Sequence, residues 1–257
     1  MTGPADDAGP EERSMHTHYE KWYSPALGRD MEIKVYGRGG KPVLFIPCQD
    51  GRFFSFEDYH MSDTLAPWIE SGQVMVISID TMDLETWSGK GEAFSRIRRH
   101  EQWMCYIVDE VVPFIREISG RGDIIAFGCS LGATHAVNLF FRFPDQFTGL
   151  LALSGIYTAD YGFGGYMDEV VYRNSPVHYL SNMSPTHPYI EKYNRNQGII
   201  CIGQGAWEEI GTTRIVDGLC KEKGINVWVD YWGYDVNHDW PWWYKQAAYF
   251  VPKLLEG

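Results

Sequence analysis

Six short apolar runs, each punctuated by glycine, proline or a polar residue, constrain this chain more than any other feature. They are "PVLFIP" (42–47), "VMVISID" (74–80), "DIIAFG" (123–128), "GLLALSG" (149–155), "GIICIG" (198–203) and "NVWVDYW" (226–232). The first two, short and continuously apolar, read as buried strands, and the other four as further strands. Between them lie helix-length segments. "MSDTLAPWIESG" ends on a glycine stop. Over 93–118, Trp103, Ile107, Val111, Phe114 and Ile115 fall on one helical face. Further helices are expected at 131–143, at 208–223 and from about 241. Strands alternating with helices imply a mostly parallel sheet covered on both faces, with right-handed crossovers. "HYEKWYS" and "MEIKVYG", joined by "PALGRD", add an early strand pair. The stretch 156–197 is too long for a simple connection and is expected to form a short cap or pocket wall.

No internal repeat and no second composition regime is visible, so residues 16–257 are expected to be a single domain. Residues 1–15, acidic and polar, read as a disordered leader that also takes in His16 and His18, and Met15 is open as an alternative start. The leader lacks the basic start and apolar core of a secretory signal, and no run of eighteen apolar residues exists; a cytoplasmic location with no membrane contact is expected. The formal net charge of −12 and the absence of a dense basic run argue against nucleic-acid binding. Five cysteines without CxxC spacing argue against a disulfide framework or zinc site and read as small buried hydrophobes. No HExxH motif appears, and "GRGGKP" and "YGFGGYMDE" lack the spacing of phosphate or dinucleotide loops. Ten tryptophans, clustered late, suit a core, a pocket or an interface, and are compatible with a homo-oligomer.

The chemistry concentrates in "IIAFGCSLGATHA" (124–136). A buried strand runs into Gly128-Cys129-Ser130-Leu131-Gly132 and then into a helix. Two glycines around a strand-to-helix turn let the backbone pack closely and lift the Ser130 hydroxyl into the open, the arrangement of a nucleophile elbow. The Leu131 N–H, at the positive end of the helix, is then one oxyanion donor. A serine needs a base. Among eight histidines, His238 lies in the loop after the last strand and is expected to fill that role. His135, one turn into the nucleophile helix, reads as structural. The acid that orients the imidazole should follow a strand between serine and base. Glu208 is favoured, with Glu209 and Asp235 as rivals. The second oxyanion donor is expected after the early central strand, at the Gln49 N–H with Cys48 close behind. Phe53, Phe54, Trp207, Trp240 and Trp242 are candidates for lining a substrate pocket together with Cys48.

"FIPCQDGRFFSFEDY", "GCSLGATHAVNLFFRFPDQF", "YRNSPVHYL", "GQGAW" with Glu208, and "DVNHDWPWW" together resemble the esterase family of the α/β-hydrolase superfamily. That family groups esterase D-like S-formylglutathione hydrolases, feruloyl esterases and mycolyltransferases. The resemblance covers about residues 18–255. It implies an α/β-hydrolase fold and hydrolysis of a small-molecule ester through an acyl-serine, with no cofactor and no metal. Ser130 and His238 carry over as nucleophile and base. Two departures stand out: Glu208 stands where many relatives have an aspartate, and the early loop lacks their usual His-Gly start. An acyltransferase using the same triad, and a hydrolase fold kept only for binding, are the alternatives.

Overall fold

The computed structural model describes residues 15–256. The expected leader therefore falls outside the described residues, except at its end. His16 precedes the first strand and His18 lies within it, so both belong to the folded chain rather than to a leader. The order of elements is β1 (Thr17–Ser24), β2 (Arg29–Tyr36), β3 (Lys41–Ile46), α1 (Ser55–Asp58), α2 (Met61–Glu70), β4 (Val74–Ile79), α3 (Ala93–Tyr106), α4 (Val112–Ser119), β5 (Ile124–Cys129), α5 (Leu131–Arg142) and β6 (Phe147–Leu153). There follow α6 (Asp160–Phe163), α7 (Glu169–Arg173), α8 (Pro176–Asn182), α9 (Tyr189–Arg195), β7 (Gln197–Ile202), α10 (Ile210–Lys223), β8 (Val227–Tyr231) and α11 (Trp240–Leu255).

All eight strands join one sheet in the order β1-β2-β4-β3-β5-β6-β7-β8. β1, β2 and β4 pair antiparallel, and every pair from β4 to β8 is parallel. The period-two alternation of strand side chains divides the core. Leu44, Ile46, Ile124 and Ala126 point to the face covered by α3, α4, α5 and α10. Val43, Phe45, Ile125 and Phe127 point to the other, covered by α1, α2 and α11. The fold is thus the expected α/β-hydrolase architecture of a mostly parallel sheet with helices on both faces. The chain leaves β3 for β4 on one side and returns to β5 on the other. This order reversal opens a crevice beyond the carboxyl ends of β3 and β5, where ligands of such sheets bind.

The helix expected over 93–118 is divided. A π-helical segment, Ile107–Val111, joins α3 to α4. Pro113 explains it, since proline supplies no N–H and its ring crowds the carbonyl four residues earlier, which a widened turn relieves. The irregular stretch contains four short helices: α6 and α7 pack beside Leu131, Trp87 and Ile97 as a small cap, while α8 and α9 join the main core through Leu180 and Tyr193. The cysteines follow expectation only in part: Cys129, Cys201 and Cys220 are buried, Cys48 is half-buried and Cys105 is exposed.

Candidate active site

Ser130 sits between β5 and α5 with φ 56° and ψ −128°. A non-glycine residue held there stores on the order of 1–3 kcal/mol of strain, which the surrounding packing must impose. The flanking glycines show how. A Cβ on Gly128 would lie 2.2 Å from the carbonyl of Gly132, and one on Gly132 would lie 2.2 Å from the Ile46 carbonyl oxygen. Only two residues without side chains let the helix start fold back on its strand and press against the end of β3. That contact sets Ser130 beside the loop that follows β3.

His238 arrives from the loop after β8. Its Nε2 lies 2.9 Å from Ser130 Oγ and its Nδ1 lies 3.1 Å from Glu208 Oε2. The Glu208 side chain is 1% exposed and that of His238 is 22% exposed, so the carboxylate is sealed and the imidazole is open on one side. The other Glu208 oxygen accepts from Ser154 Oγ at 2.7 Å and from the Gly203 amide at 3.1 Å. Trp243 completes the support. Its indole N–H donates to Ser154 Oγ at 3.0 Å, and its ring meets the His238 ring edge-on with centroids 5.0 Å apart.

The loops that carry Glu208 and His238 are laced together. The amides of Gln204, Gly205 and His238 donate to the carbonyls of Gly233, Val236 and Ala206. The Ala206 amide donates to Asn237 Oδ1. A Cβ on Gly203 would fall 2.2 Å from the Val236 oxygen, and one on Gly205 would fall 2.3 Å from Asn237 Oδ1. The two glycines of "GQGAW" are therefore required by close approach.

The rival acids lie elsewhere. Glu209 caps α10, accepting from the amides of Gly211 and Thr212 and from the Thr212 hydroxyl. Asp235 is exposed and makes no bond to His238. His135 is buried and bonds Asp83, away from the serine.

At the end of β3, the Gly51 amide donates to the Cys48 carbonyl at 2.9 Å, closing a turn with Gln49 and Asp50 at its centre. Gln49 N–H, outside any helix or strand, has no acceptor among the described residues and is free to donate. The Gln49 side chain is held by the Tyr161 hydroxyl from the cap at 2.7 Å. Leu131, the first residue of α5, has an amide that needs no helical acceptor. Beside this loop lies a cavity of about 610 Å³ lined by Cys48, Gln49, Arg52, Phe54, Tyr59 and Trp240, among others. Tyr59 and Trp240 stack with centroids 4.6 Å apart. Phe53 and Trp207 do not line it. Phe53 packs against Tyr19 and Phe54. Trp207, with a positive φ of 65°, is 91% exposed.

Ser154, Trp243, Asp83 and Tyr161 belong to this site and escaped the sequence reading. Ser154 follows β6 with φ 58°, and neither it nor the others carries a local motif. Their partners lie far away in the chain, as the separation of 54 positions between Ser154 and Glu208 illustrates.

A strained serine after a central strand, facing a histidine backed by a buried carboxylate, defines an α/β-hydrolase of the serine type. The chain belongs to the esterase family described as "Putative esterase", whose sequence profile matches residues 24–254. No curated protein matches it in sequence. Among solved structures it is similar to a ferulic acid esterase at 13% identity, TM-score 0.75, covering 94% of this chain and 98% of that one. An S-formylglutathione hydrolase from Agrobacterium tumefaciens matches at 15% identity, TM-score 0.71, covering 95% and 98%. FphF, a fluorophosphonate-binding serine hydrolase from Staphylococcus aureus, matches at 14% identity, TM-score 0.69, covering 94% and 98%. No helix among the described residues is long and apolar enough to cross a membrane.

Proposed function

We propose that the protein is a serine esterase in which Ser130 is the nucleophile, His238 the general base and Glu208 the orienting acid. The observation that carries this reading is the unbroken relay from Ser130 Oγ through both nitrogens of His238 to Glu208. His238 takes the Ser130 proton as Oγ attacks the ester carbonyl carbon. The carbonyl electrons move onto oxygen, where the amides of Leu131 and Gln49 hold the charge. Each such donor is worth about 3 kcal/mol of barrier. The intermediate collapses, the alcohol leaves with the proton from His238, and an acyl-serine remains. Water, deprotonated by His238, attacks the acyl carbon through a second oxyanion. Collapse then frees the acid, and His238 returns the proton to Ser130.

The aromatic-walled cavity next to Gln49 supports a small or aryl ester as substrate. The matched ferulic acid esterase, by its name, handles an aryl acid ester. Residues 16–257 act as one catalytic domain in this reading, supported by a single sheet that recruits strands from Thr17 to Tyr231.

The test is hydrolysis of p-nitrophenyl esters of increasing acyl length. Ser130→Ala and His238→Ala should each lose at least about a thousandfold in kcat while staying folded. Retained turnover in Ser130→Ala would reject the reading. A new ester formed on adding an acceptor alcohol would move the assignment to acyl transfer.

A further inference from the structure

A buried ionisable pair lies behind the oxyanion loop and takes no part in the relay. His135 Nε2 is 2.9 Å from Asp83 Oδ1, with side chains 1% and 2% exposed. Asp83 follows β4, and its second oxygen accepts the Asp50 amide at 3.3 Å. His135 is wedged against Trp103, His100 and Trp87, at ring-centroid distances of 5.0, 5.1 and 5.6 Å. Stability does not explain such a pair, since apolar residues of the same volume usually serve a core as well or better.

The turn it supports needs holding. Asp50 has φ 60° in the third position of the Cys48–Gly51 turn, a place that favours glycine or asparagine. Rotating the Gln49–Asp50 peptide would relieve that φ and loosen the turn, and with it the adjoining Cys48–Gln49 peptide that carries the Gln49 N–H. Two bonds oppose the rotation: Asp50 N–H to Asp83, and Ser88 Oγ to Asp50 Oδ1 at 2.5 Å. His135 stands on α5, the helix that begins at Leu131. The same rigid element thus carries one oxyanion donor and, through Asp83, restrains the turn that carries the other.

We propose that Asp83 and His135 are positioning residues that hold the Gln49 amide in register with Leu131. This rests on the esterase reading above and on Gln49 as a donor.

Asp83→Asn tests it with little change of volume. An asparagine offers one acceptor and no charge, so either the Asp50 amide or His135 faces an NH₂ group and the charge-assisted bonds become weaker neutral ones. His135→Leu removes the donor, and His135→Gln restores an N–H near the Nε2 position. Turnover of p-nitrophenyl acetate is measured well below the lowest melting temperature, beside inhibition by a trifluoromethyl ketone. In that inhibitor the Ser130 oxygen bonds to the ketone carbon, the Ser130 proton passes to His238, and the ketone oxygen becomes an oxyanion.

Asp83→Asn and His135→Leu should lower kcat about 10–100-fold, with KM within about twofold and inhibitor affinity falling in parallel, because a donor lost from the oxyanion hole acts on the transition state. His135→Gln should recover to within about fivefold of wild type. The proposal is overturned if folded Asp83→Asn keeps wild-type kcat, if kcat falls while inhibitor affinity does not, or if His135→Gln is no better than His135→Leu. Should His135→Leu fail to fold, Asp83→Asn against wild type decides. Undiminished turnover in Ser130→Ala would instead reject the esterase reading itself.

Discussion

The adjacent glutamates of "GAWEE" show how much one residue's position decides. Trp207, in the left-handed region, turns the backbone so that Glu208 points inward to His238 while Glu209 points out to the start of α10. Glu208→Gln should therefore lower kcat by about 10²–10⁴, through loss of the charge that stabilises the imidazolium and fixes its tautomer. Glu209→Gln should leave kcat within about twofold and cost about 1 kcal/mol of stability through a weakened cap. Steady-state kinetics beside urea unfolding of both variants checks the pair. Asp235→Asn should change neither quantity. A larger kinetic loss there than in Glu208→Gln would move the acid to Asp235.

At the scale of elements, one ion pair ties α3 to α5 and, through hydrogen bonds to Asn174, to the end of α7. Arg142, in the last turn of α5, bonds Glu101 of α3 at 2.5 Å, and both reach Asn174 after α7. Burial alone would push the Glu101 carboxyl up, but the bonds to Arg142 and Asn174 outweigh it and leave it below its ordinary 4.5. A folded value below the unfolded one makes this contribution complete above about pH 4.5 and lost as pH falls further. Glu101→Gln should thus cost about 2 kcal/mol at pH 7, and the cost should shrink as pH falls below about 4.5, read by denaturant unfolding over a pH series. The elements themselves were legible to different degrees. β3 to β7 announce themselves because strands buried on both faces must be continuously apolar. The break at Ile107–Val111 leaves the apolar stripe of α3 and α4 intact, so periodicity passes over it, although Pro113 was its visible sign. Ser130 and His238 were legible because a close-packed turn and a post-strand loop leave local marks. Ser154, Trp243 and the Asp83–His135 pair left none, since each acquires its role from a partner on a distant element.

For the molecule as a whole, the net charge of −12 sets up a field that reaches beyond the crevice. Such a field draws cationic molecules and is screened over about 10 Å at 0.1 M salt. Esters bearing a quaternary ammonium should lose several-fold in kcat/KM as ionic strength rises from about 0.01 to about 0.5 M, while neutral esters of the same size stay within about twofold. Equal salt responses would show that the field does not reach the site. The central claim, that ester cleavage runs through an acyl group on Ser130, has a more direct test. The protein is mixed with p-nitrophenyl acetate, quenched in acid during turnover, digested and read by mass spectrometry. The account predicts acetylation of the peptide containing Ser130, and no acetylation or turnover in Ser130→Ala. Acetylation at another residue, or turnover that survives in Ser130→Ala, would contradict it.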